Sequence, residues 1–313
     1  KSSKFLFNAL HGGAGEDGTL QALCDKADVP YNGPGEKVSR LCMDKWATSE
    51  YIRKLGIPGL TAIPVQVMRT QDLINLTSSE LHSIWQNITQ ELKSETLIVK
   101  PRADGCSTGV AHLFSSFDLV TYCEALKNNF TSLLPHSLTR QENTIEMPPL
   151  TPAELVFELF VATDHIRVVK NKLHHTKKTG WIEITLGVIE AEGSLKALNP
   201  SITMEEGEVL SVEEKFQGGT GINITPPPPS IMKSDVLKRV QERITQLAQA
   251  IGITGYSRID AFVHVATGAV QIIEINTLPG LTPSTVLYQQ ALAQTPPLFP
   301  RTLLELLIAN KGY

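Results

Sequence analysis

An aspartate, a glutamate and an asparagine stand at polar positions of two consecutive strand-like segments, namely Asp260, Glu274 and Asn276. Carboxylates about 5 Å apart on one sheet face repel each other, and a divalent cation removes that repulsion. Oxygen ligands of this kind suit Mg²⁺, which keeps some waters and takes further ligands from nucleotide phosphates. The residues therefore predict a site for Mg²⁺ and a nucleotide; the alternative is an exposed strand face with unrelated polar residues.

The turn between the two segments decides which residues face each other. A three-residue hairpin loop often ends in a left-handed residue, and Gly268 stands there if Val265 pairs with Ala269. Counting back from that pair places Asp260 opposite Glu274 on the same face. The spacing thus predicts that the two carboxylates are neighbours.

Four basic residues come from different segments and could converge on nucleotide phosphates. Lys45 stands at a predicted helix start, Lys100 at a strand end and Lys215 in a loop, while Arg258 precedes Asp260 by two positions. Lysine and arginine hold phosphates through charge-assisted hydrogen bonds. Each lysine taken singly is more typical of a solvated surface, so the hypothesis depends on the four together.

Local patterns predict the elements that position these residues. Leu97–Pro101 reads as a strand that runs into a loop with glycines at 105 and 109, and such loops can hold phosphates with backbone N–H groups. A helix is predicted from Asp44 to about Leu55, because Gly56 follows it. A second helix, capped by Ser234 or Asp235 and ended by Gly252, has apolar residues at helical spacing: Leu237, Val240, Ile244, Leu247 and Ile251.

Two further segments are interpreted from their composition. Phe5–Leu10 reads as a short buried strand, followed by a glycine-rich turn at 11–18 and a helix with apolar residues Leu20, Leu23 and Ala27. The stretch from His165 to Lys178 collects lysine, arginine and histidine, and is interpreted as a solvated basic loop. The adjacent His174 and His175 are given no role.

Composition excludes several classes of protein. The chain has 313 residues, 42% of them hydrophobic, which is enough for a large core and excludes disorder and a collagen-like chain. Its net charge of −4, without a basic stripe, argues against nucleic acid as a partner. No apolar run approaches the ~18 residues that span a bilayer, so no membrane association is expected. The cysteines form no Cys-x-x-Cys pair, which argues against zinc and disulfides and favours a reducing compartment: Cys24, Cys42, Cys106 and Cys123.

Five motifs in a fixed order carry a resemblance to a known family. They are His11–Gly18, Asp44–Lys45, Val99–Pro101, Arg258–Asp260 and Glu274–Gly280. In this order and spacing the chain resembles the D-alanine:D-alanine ligases of the ATP-grasp superfamily along essentially its whole length. Any one motif alone would be weak.

The resemblance implies a fold of α/β and α+β type. Two α+β domains of an ATP-grasp fold would clamp ATP, and an incomplete N-terminal α/β domain would help to bind the amino acid. The expected spans are 1–42 for the N-terminal substrate domain, 43–157 for the central domain and 158–313 for the C-terminal domain.

The resemblance also implies residues that bind ATP. Lys45 and Lys100 would hold phosphates, and the loop with Gly105, Ser107 and Gly109 would close over them. The remaining ATP contacts would come from Glu158 and Glu183, at the adenine and ribose, and from Lys215, which would reach the γ-phosphate from a mobile loop.

Metal and substrate residues are implied in the same way. Two Mg²⁺ ions, with Mn²⁺ as a possible replacement, would be held by Asp260, Glu274 and Asn276. Arg258 would steady the transferring phosphate. The substrate contacts would be His11 at the acceptor subsite and, at the substrate or product carboxylate, Gly280 with Ser284 or Thr285.

The implied reaction joins two D-alanine molecules through an acyl phosphate. The carboxylate of the first D-alanine attacks the γ-phosphate of ATP, and the amine of the second attacks the acyl phosphate. A lid at Ser211–Pro226 would exclude water, which would otherwise hydrolyse that intermediate. The dipeptide would serve peptidoglycan synthesis.

Two positions depart from the family pattern. Cys106 stands where the family has a serine after the phosphate-loop glycine, and Phe216 replaces the lid tyrosine beside Lys215. A thiol is a weak donor and a phenyl ring has none, so the acceptor subsite becomes more apolar. The alternative is therefore a ligase that joins D-alanine to D-lactate as an ester.

Other expectations concern the protein as a whole. The opening strand of the family, with the glutamate that grips the first substrate's ammonium, is expected to precede Lys1. A basic insertion near 162–179 resembles plant plastid members, so the compartment is expected to be bacterial cytoplasm or plastid stroma. A homodimer is expected, and a non-catalytic ATP-binding homologue is the third hypothesis.

Overall fold

The computed structural model describes residues 4–103, 108–170, 172–204, 222–283 and 285–309. Within these ranges the helices are α1 (Gly13–Glu16), α2 (Thr19–Lys26), α3 (Glu36–Met43), α4 (Lys45–Leu55), α5 (Thr70–Ile74), α6 (Ser78–Leu92), α7 (Ser116–Lys127), α8 (Ser234–Ile251), α9 (Val286–Leu292) and α10 (Pro300–Ala309). The strands are β1 (Leu60–Ala62), β2 (Val65–Arg69), β3 (Leu97–Pro101), β4 (Ala111–Leu113), β5 (Ser132–Leu133), β6 (Ile145–Glu146), β7 (Glu154–Leu159), β8 (His165–Val169), β9 (Lys172–Thr176), β10 (Trp181–Ala191), β11 (Ser194–Ala197), β12 (Ile202–Met204), β13 (Ile222–Ile224), β14 (Tyr256–His264) and β15 (Val270–Asn276).

Two larger sheets carry the candidate site. One has the strand order β1-β15-β14-β10-β11, with β1 parallel to β15 and the other neighbours antiparallel. The other has the order β2-β7-β3-β4 and is antiparallel throughout. The predicted boundary between residues 157 and 158 falls inside β7, and the division into three spans stays a prediction.

Each sheet buries one face under helices. The core of the five-stranded sheet includes α8, whose Val240, Ile244 and Leu247 are fully buried, as their helical spacing predicts. The start of this helix differs from the prediction, because Lys233 is its N-cap and makes no side-chain cap bond. The four-stranded sheet packs its own core against α6 and α7. Every helix of the described residues is too short or too polar to span a membrane.

Helix α4 begins where the sequence predicts. Asp44 is its N-cap, and its Oδ1 accepts a hydrogen bond from the Ala47 amide at 2.9 Å. Gly56 ends the helix in the left-handed region, with φ of 62°, which costs glycine little. Lys45 therefore occupies the first helical position.

The turn that leads from β14 to β15 is one residue longer than predicted. The amide of His264, not that of Val265, donates a hydrogen bond to the Ala269 carbonyl oxygen at 2.9 Å. A β-bulge next to Asp260 restores the register, so that Asp260 still pairs with Glu274. The expected pairing of the carboxylates is correct although the expected turn is wrong.

The predicted buried strand at Phe5–Leu10 is not present. Leu6 forms only one isolated bridge to Tyr31. Phe7 is 39% exposed and Leu10 is 62% exposed, so their apolar side chains do not form a buried layer. Leu23 of α2 is likewise exposed, which contradicts the predicted apolar face of that helix.

The basic stretch is a β-hairpin rather than a solvated loop. Strands β8 and β9 pair antiparallel, from His165 with Thr176 to Val169 with Lys172. His175 is not solvated, because its Nε2 lies 2.9 Å from the buried Asp164 carboxylate. The alternation of apolar and polar residues across two short strands could have revealed this hairpin.

Candidate nucleotide and metal site

The polar face of the five-stranded sheet brings the three predicted metal ligands together. Asp260 on β14 lies directly opposite Glu274 on β15. The Asn276 amide nitrogen donates to Asp260 Oδ2 at 3.1 Å and to Glu274 Oε1 at 3.2 Å. One carboxamide thus bridges two carboxylates, and the role of these residues as metal ligands stays a prediction.

Arg258 and Thr185 hold the Asp260 carboxylate in place. The Arg258 Nη2 donates to Asp260 Oδ2 at 2.9 Å and lies 3.8 Å from Glu274 Oε1. The Thr185 hydroxyl donates to Asp260 Oδ1 from the adjacent strand β10. Sequence reasoning missed Thr185, because its position directly opposite Asp260 becomes visible only once β10 is paired with β14.

Burial and neighbouring charges shift the pKa values of the two carboxylates in opposite directions. Burial raises the pKa of Asp260 above its usual range, and the charge of Glu274 adds to this, while Arg258 opposes it. Burial also acts to raise the pKa of Glu274, but Lys45, Arg258 and Lys100 outweigh it and lower that pKa. Glu274 is therefore the more firmly ionised carboxylate.

The two predicted phosphate lysines approach Glu274 from separate elements. Residues of α4 and of both sheets line one crevice, and Lys45, Glu158 and Glu274 are among them. Lys100 Nζ lies 2.8 Å from Glu158 Oε2, and both side chains are nearly fully buried. The structure thus pairs Lys100 with a residue that the family resemblance assigned to another part of ATP.

Glu183 lies further along β10 on the same face as Thr185. It pairs with Phe262, whereas Thr185 pairs with Asp260. This separation places Glu183 two residues, about 7 Å, from Thr185, which lies opposite Asp260. Its predicted contact with the nucleotide stays a prediction.

His11 reaches the other end of the site through a buried glutamate. His11 Nδ1 lies 3.0 Å from Glu16 Oε2 and 2.9 Å from the Leu278 carbonyl oxygen. Glu16 also accepts hydrogen bonds from the Gly12 and Leu278 amides. The hydrogen bond to Glu16 raises the pKa of His11, against the opposing effect of burial. Glu16 belongs to the glycine-rich turn, but its structural role was missed because its partner is 262 residues away in sequence.

Gly280 and Thr285 lie together where a substrate carboxylate is predicted. A Cβ built at Gly280 would lie 3.7 Å from the Thr285 methyl carbon. The Thr285 hydroxyl is buried and has no hydrogen-bond partner among the described residues. A buried hydroxyl without a partner is costly, so this oxygen is a candidate to bind a ligand.

Several predicted site residues lie outside the described residues. These are Gly105, Cys106, Ser107, Lys215, Phe216 and Ser284, together with most of the predicted lid at Ser211–Pro226. Gly109 is described: it is buried, and its carbonyl oxygen accepts a hydrogen bond from the Tyr122 hydroxyl at 2.6 Å.

Comparison with known proteins gives consistent results. The family model described as "D-ala D-ala ligase C-terminus" matches residues 163–308. A D-alanine–D-alanine ligase from Leptospira biflexa is 26% identical over 294 residues, which cover 92% of this chain and 67% of that protein. A Pseudomonas putida ligase A is likewise 26% identical, over 90% of this chain and 64% of its own length.

A solved structure has the same fold over almost the whole chain. The D-alanyl-alanine synthetase A of Vibrio cholerae superposes with a TM-score of 0.70 at 19% identity, over 99% of this chain and 77% of that one. The curated relatives cover nine tenths of the chain or more, and the family model covers its C-terminal part. The family model covers just under half of the chain, and the chain as a whole is similar in sequence to the D-alanine–D-alanine ligases named above and in fold to the Vibrio cholerae enzyme.

Proposed function

We propose that this chain is the ATP-binding and catalytic part of a D-alanine:D-alanine ligase. One observation carries the proposal: Asp260 and Glu274 face each other, Asn276 bridges them, and Lys45 and Lys100 act on Glu274 from the opposite sheet and helix. Such an arrangement suits a phosphorylated ligand with a divalent cation. The curated relatives of this chain carry that activity in their names.

The donor set fits Mg²⁺. It consists of two carboxylates and a carboxamide, all of them hard oxygen ligands, while no group of three or more His, Cys, Asp or Glu residues suited to a metal lies elsewhere in the described ranges. Asp260, Glu274 and Asn276 would hold the two ions, with Mn²⁺ as a replacement. Bound there, the metal would offset charge on the phosphoryl oxygens.

The basic residues would orient ATP and oppose charge that develops during transfer. Lys45 and Lys100 would hold the phosphates while the carboxylate of the first D-alanine attacks the γ-phosphorus and ADP leaves. Arg258, anchored on Asp260, would face the transferred group. The amine of the second D-alanine then attacks the acyl carbon and phosphate leaves, which forms the peptide bond. A Bacillus anthracis ligase of this fold, with a TM-score of 0.64, has been solved in complex with ATP, which supports ATP as the nucleotide.

The substrate end of the site is proposed from the other sequence-predicted residues. His11, held by Glu16 against the loop at Leu278, would assist at the acceptor subsite. The Thr285 hydroxyl near Gly280, which has no partner among the described residues, would bind a substrate or product carboxylate. Glu183 would reach the ribose from β10.

The test is ADP release by the full-length protein with Mg²⁺, ATP and D-alanine, with the products separated by mass. We expect D-alanyl-D-alanine, and we expect Asp260→Ala to abolish turnover, with Asp235→Ala on the exposed start of α8 as a matched control. Turnover that survives in Asp260→Ala would refute the metal assignment. Binding of ATP without any turnover would favour a non-catalytic homologue.

A D-lactate acceptor is the second candidate, and the observation that favours it is Phe216 beside Lys215 in the sequence. The same assay with D-alanine plus D-lactate distinguishes the two by the mass of the product. We expect Phe216→Tyr to shift the acceptor preference toward D-alanine if the ester-forming activity exists.

The homodimer and the compartment, bacterial cytoplasm or plastid stroma, stay predictions; the relatives named above are bacterial.

A further inference from the structure

Arg102 joins helix α4 to the end of strand β3. Its Nε and Nη2 donate to the two carboxylate oxygens of Asp44 at 2.9 and 2.6 Å. Its Nη1 donates to Glu154 Oε2 at 2.6 Å, and its guanidinium lies 4.8 Å from the centre of the Trp46 ring. Bidentate pairing of this kind restricts both direction and distance.

Backbone contacts reinforce the same junction. The Lys45 amide donates to the Arg102 carbonyl oxygen at 3.1 Å, and the Arg102 amide donates to the Glu154 carbonyl oxygen at 3.1 Å. Asp44 also caps α4 through the Ala47 amide. One carboxylate therefore orients the first turn of the helix and the arginine together.

The two phosphate lysines flank this junction. Lys45 directly follows Asp44, and Lys100 precedes Arg102 by two residues on β3. They belong to different elements, yet the charges of both lower the pKa of the half-buried Glu274. The relative position of the two lysines depends on how α4 packs against β3, and the Arg102 contacts fix that packing.

Arg102 is poorly placed to bind phosphate itself. Its Nε, Nη1 and Nη2 each donate to a carboxylate, and the two carboxylates together carry more negative charge than is needed to neutralise the guanidinium. An arginine in this state contributes geometry rather than a free positive charge. This distinguishes it from Lys45 and Lys100.

We propose that Arg102 is a positioning residue that sets the distance between Lys45 and Lys100 for a nucleotide phosphate chain, clamping α4 to β3 through Asp44 and Glu154. The proposal rests on the proposed function, because it assumes that the two lysines meet phosphates. It assigns no chemical step to Arg102.

The test compares ADP with adenosine, which lacks phosphates, as ligands of the full-length protein in calorimetry. We expect Arg102→Gln to weaken ADP binding about tenfold, the order of loss when a charge-assisted pair that holds a binding group is removed. Adenosine binding should be unchanged. Arg69→Gln, which removes an exposed arginine that pairs with Asp72, is the matched control and should leave both ligands unaffected.

Two further variants distinguish a loss of lysine positioning from a general loss of folding. Arg102→Lys keeps the charge but cannot pair in the bidentate way, so an intermediate loss is expected. Glu154→Gln leaves the Asp44 contact intact, and a smaller loss is expected. Unchanged ADP affinity in Arg102→Gln, or an equal loss for ADP and adenosine, would overturn the proposal. A wild-type protein that binds neither ligand would contradict the proposed function instead.

Discussion

Lys100 Nζ and Glu158 Oε2 lie 2.8 Å apart, with 6% of each side chain exposed. The pair connects neighbouring strands β3 and β7 on the side of the four-stranded sheet that lines the crevice. Residues that the family resemblance assigns to the phosphate and adenine ends of ATP therefore form one electrostatic unit. A nucleotide phosphate near Lys100 would compete with Glu158 for the same ammonium group.

Removing one charge of this buried pair should destabilise the folded protein. Glu158→Gln leaves a buried ammonium without its counter-charge, and we expect the free energy of unfolding to fall by about 3 kcal/mol. The double variant Lys100→Met with Glu158→Gln removes both charges and should recover part of that loss. Urea unfolding of four proteins measures the effect: the wild type, Lys100→Met, Glu158→Gln and the double variant. A double variant as unstable as the sum of its single variants would contradict the coupling.

Asp260→Asn should separate stability from activity. The pKa of Asp260 is raised because burial and Glu274 disfavour its charged form, so a neutral isostere should stabilise the metal-free protein. ADP release should fall at least about 100-fold, because a metal-ligand charge is lost. Thermal unfolding in chelator and the ligase assay test both expectations. Lower stability in chelator would show that the contacts to Arg258 and Thr185 dominate.

Asp164 should make the hairpin of β8 and β9 sensitive to acid. Burial acts to raise its pKa, but the amides of Lys178, Thr179 and Gly180 together with His175 outweigh burial and lower the pKa to about 2. A lowered carboxyl pKa stabilises the fold above the unfolded value of about 3.9, and that stabilisation is lost as the pH falls toward about 2.

Asp164→Asn should accordingly lower the free energy of unfolding at pH 7 by about 2 kcal/mol. The difference from the wild type should stay constant from pH 7 to about 5 and shrink below about 4. Thermal unfolding over this pH range measures it, with the exposed Asp72→Asn as the control. A difference that does not depend on pH would mean that the lost contacts are steric rather than electrostatic.

His11 should titrate above the ordinary histidine range because its ring bonds to Glu16. Glu16→Gln should bring the pKa of His11 down, which NMR titration of its ring protons can follow. A histidine with a raised folded pKa adds stability at pH below about 6.5 and loses it as pH rises through the folded value. The variant should therefore be destabilised more at pH 6 than at pH 9. An unmoved His11 titration would assign its shift to the Leu278 carbonyl instead.

Local sequence patterns were sufficient for the elements that carry the site. Helix α4 begins after Asp44 because a short polar side chain caps the first turn, and β3 ends at Pro101 as its apolar run predicts. The set that we propose to bind metal was also predicted from residue type and spacing. The same patterns failed for Phe5–Leu10, where apolar residues stand without the neighbouring strands that would bury them.

Tertiary structure decided the contacts between segments far apart in the chain. The bulge beside Asp260, the hydroxyl of Thr185, the pairing of Lys100 with Glu158 and the clamp at Arg102 all depend on which strands and helices become neighbours. Residue type and short-range spacing determine which chemistry a chain can perform, because ligands and caps are local properties. The distances at which those groups meet depend on long-range packing, since a shift of one residue in strand register moves a side chain to the opposite face of the sheet.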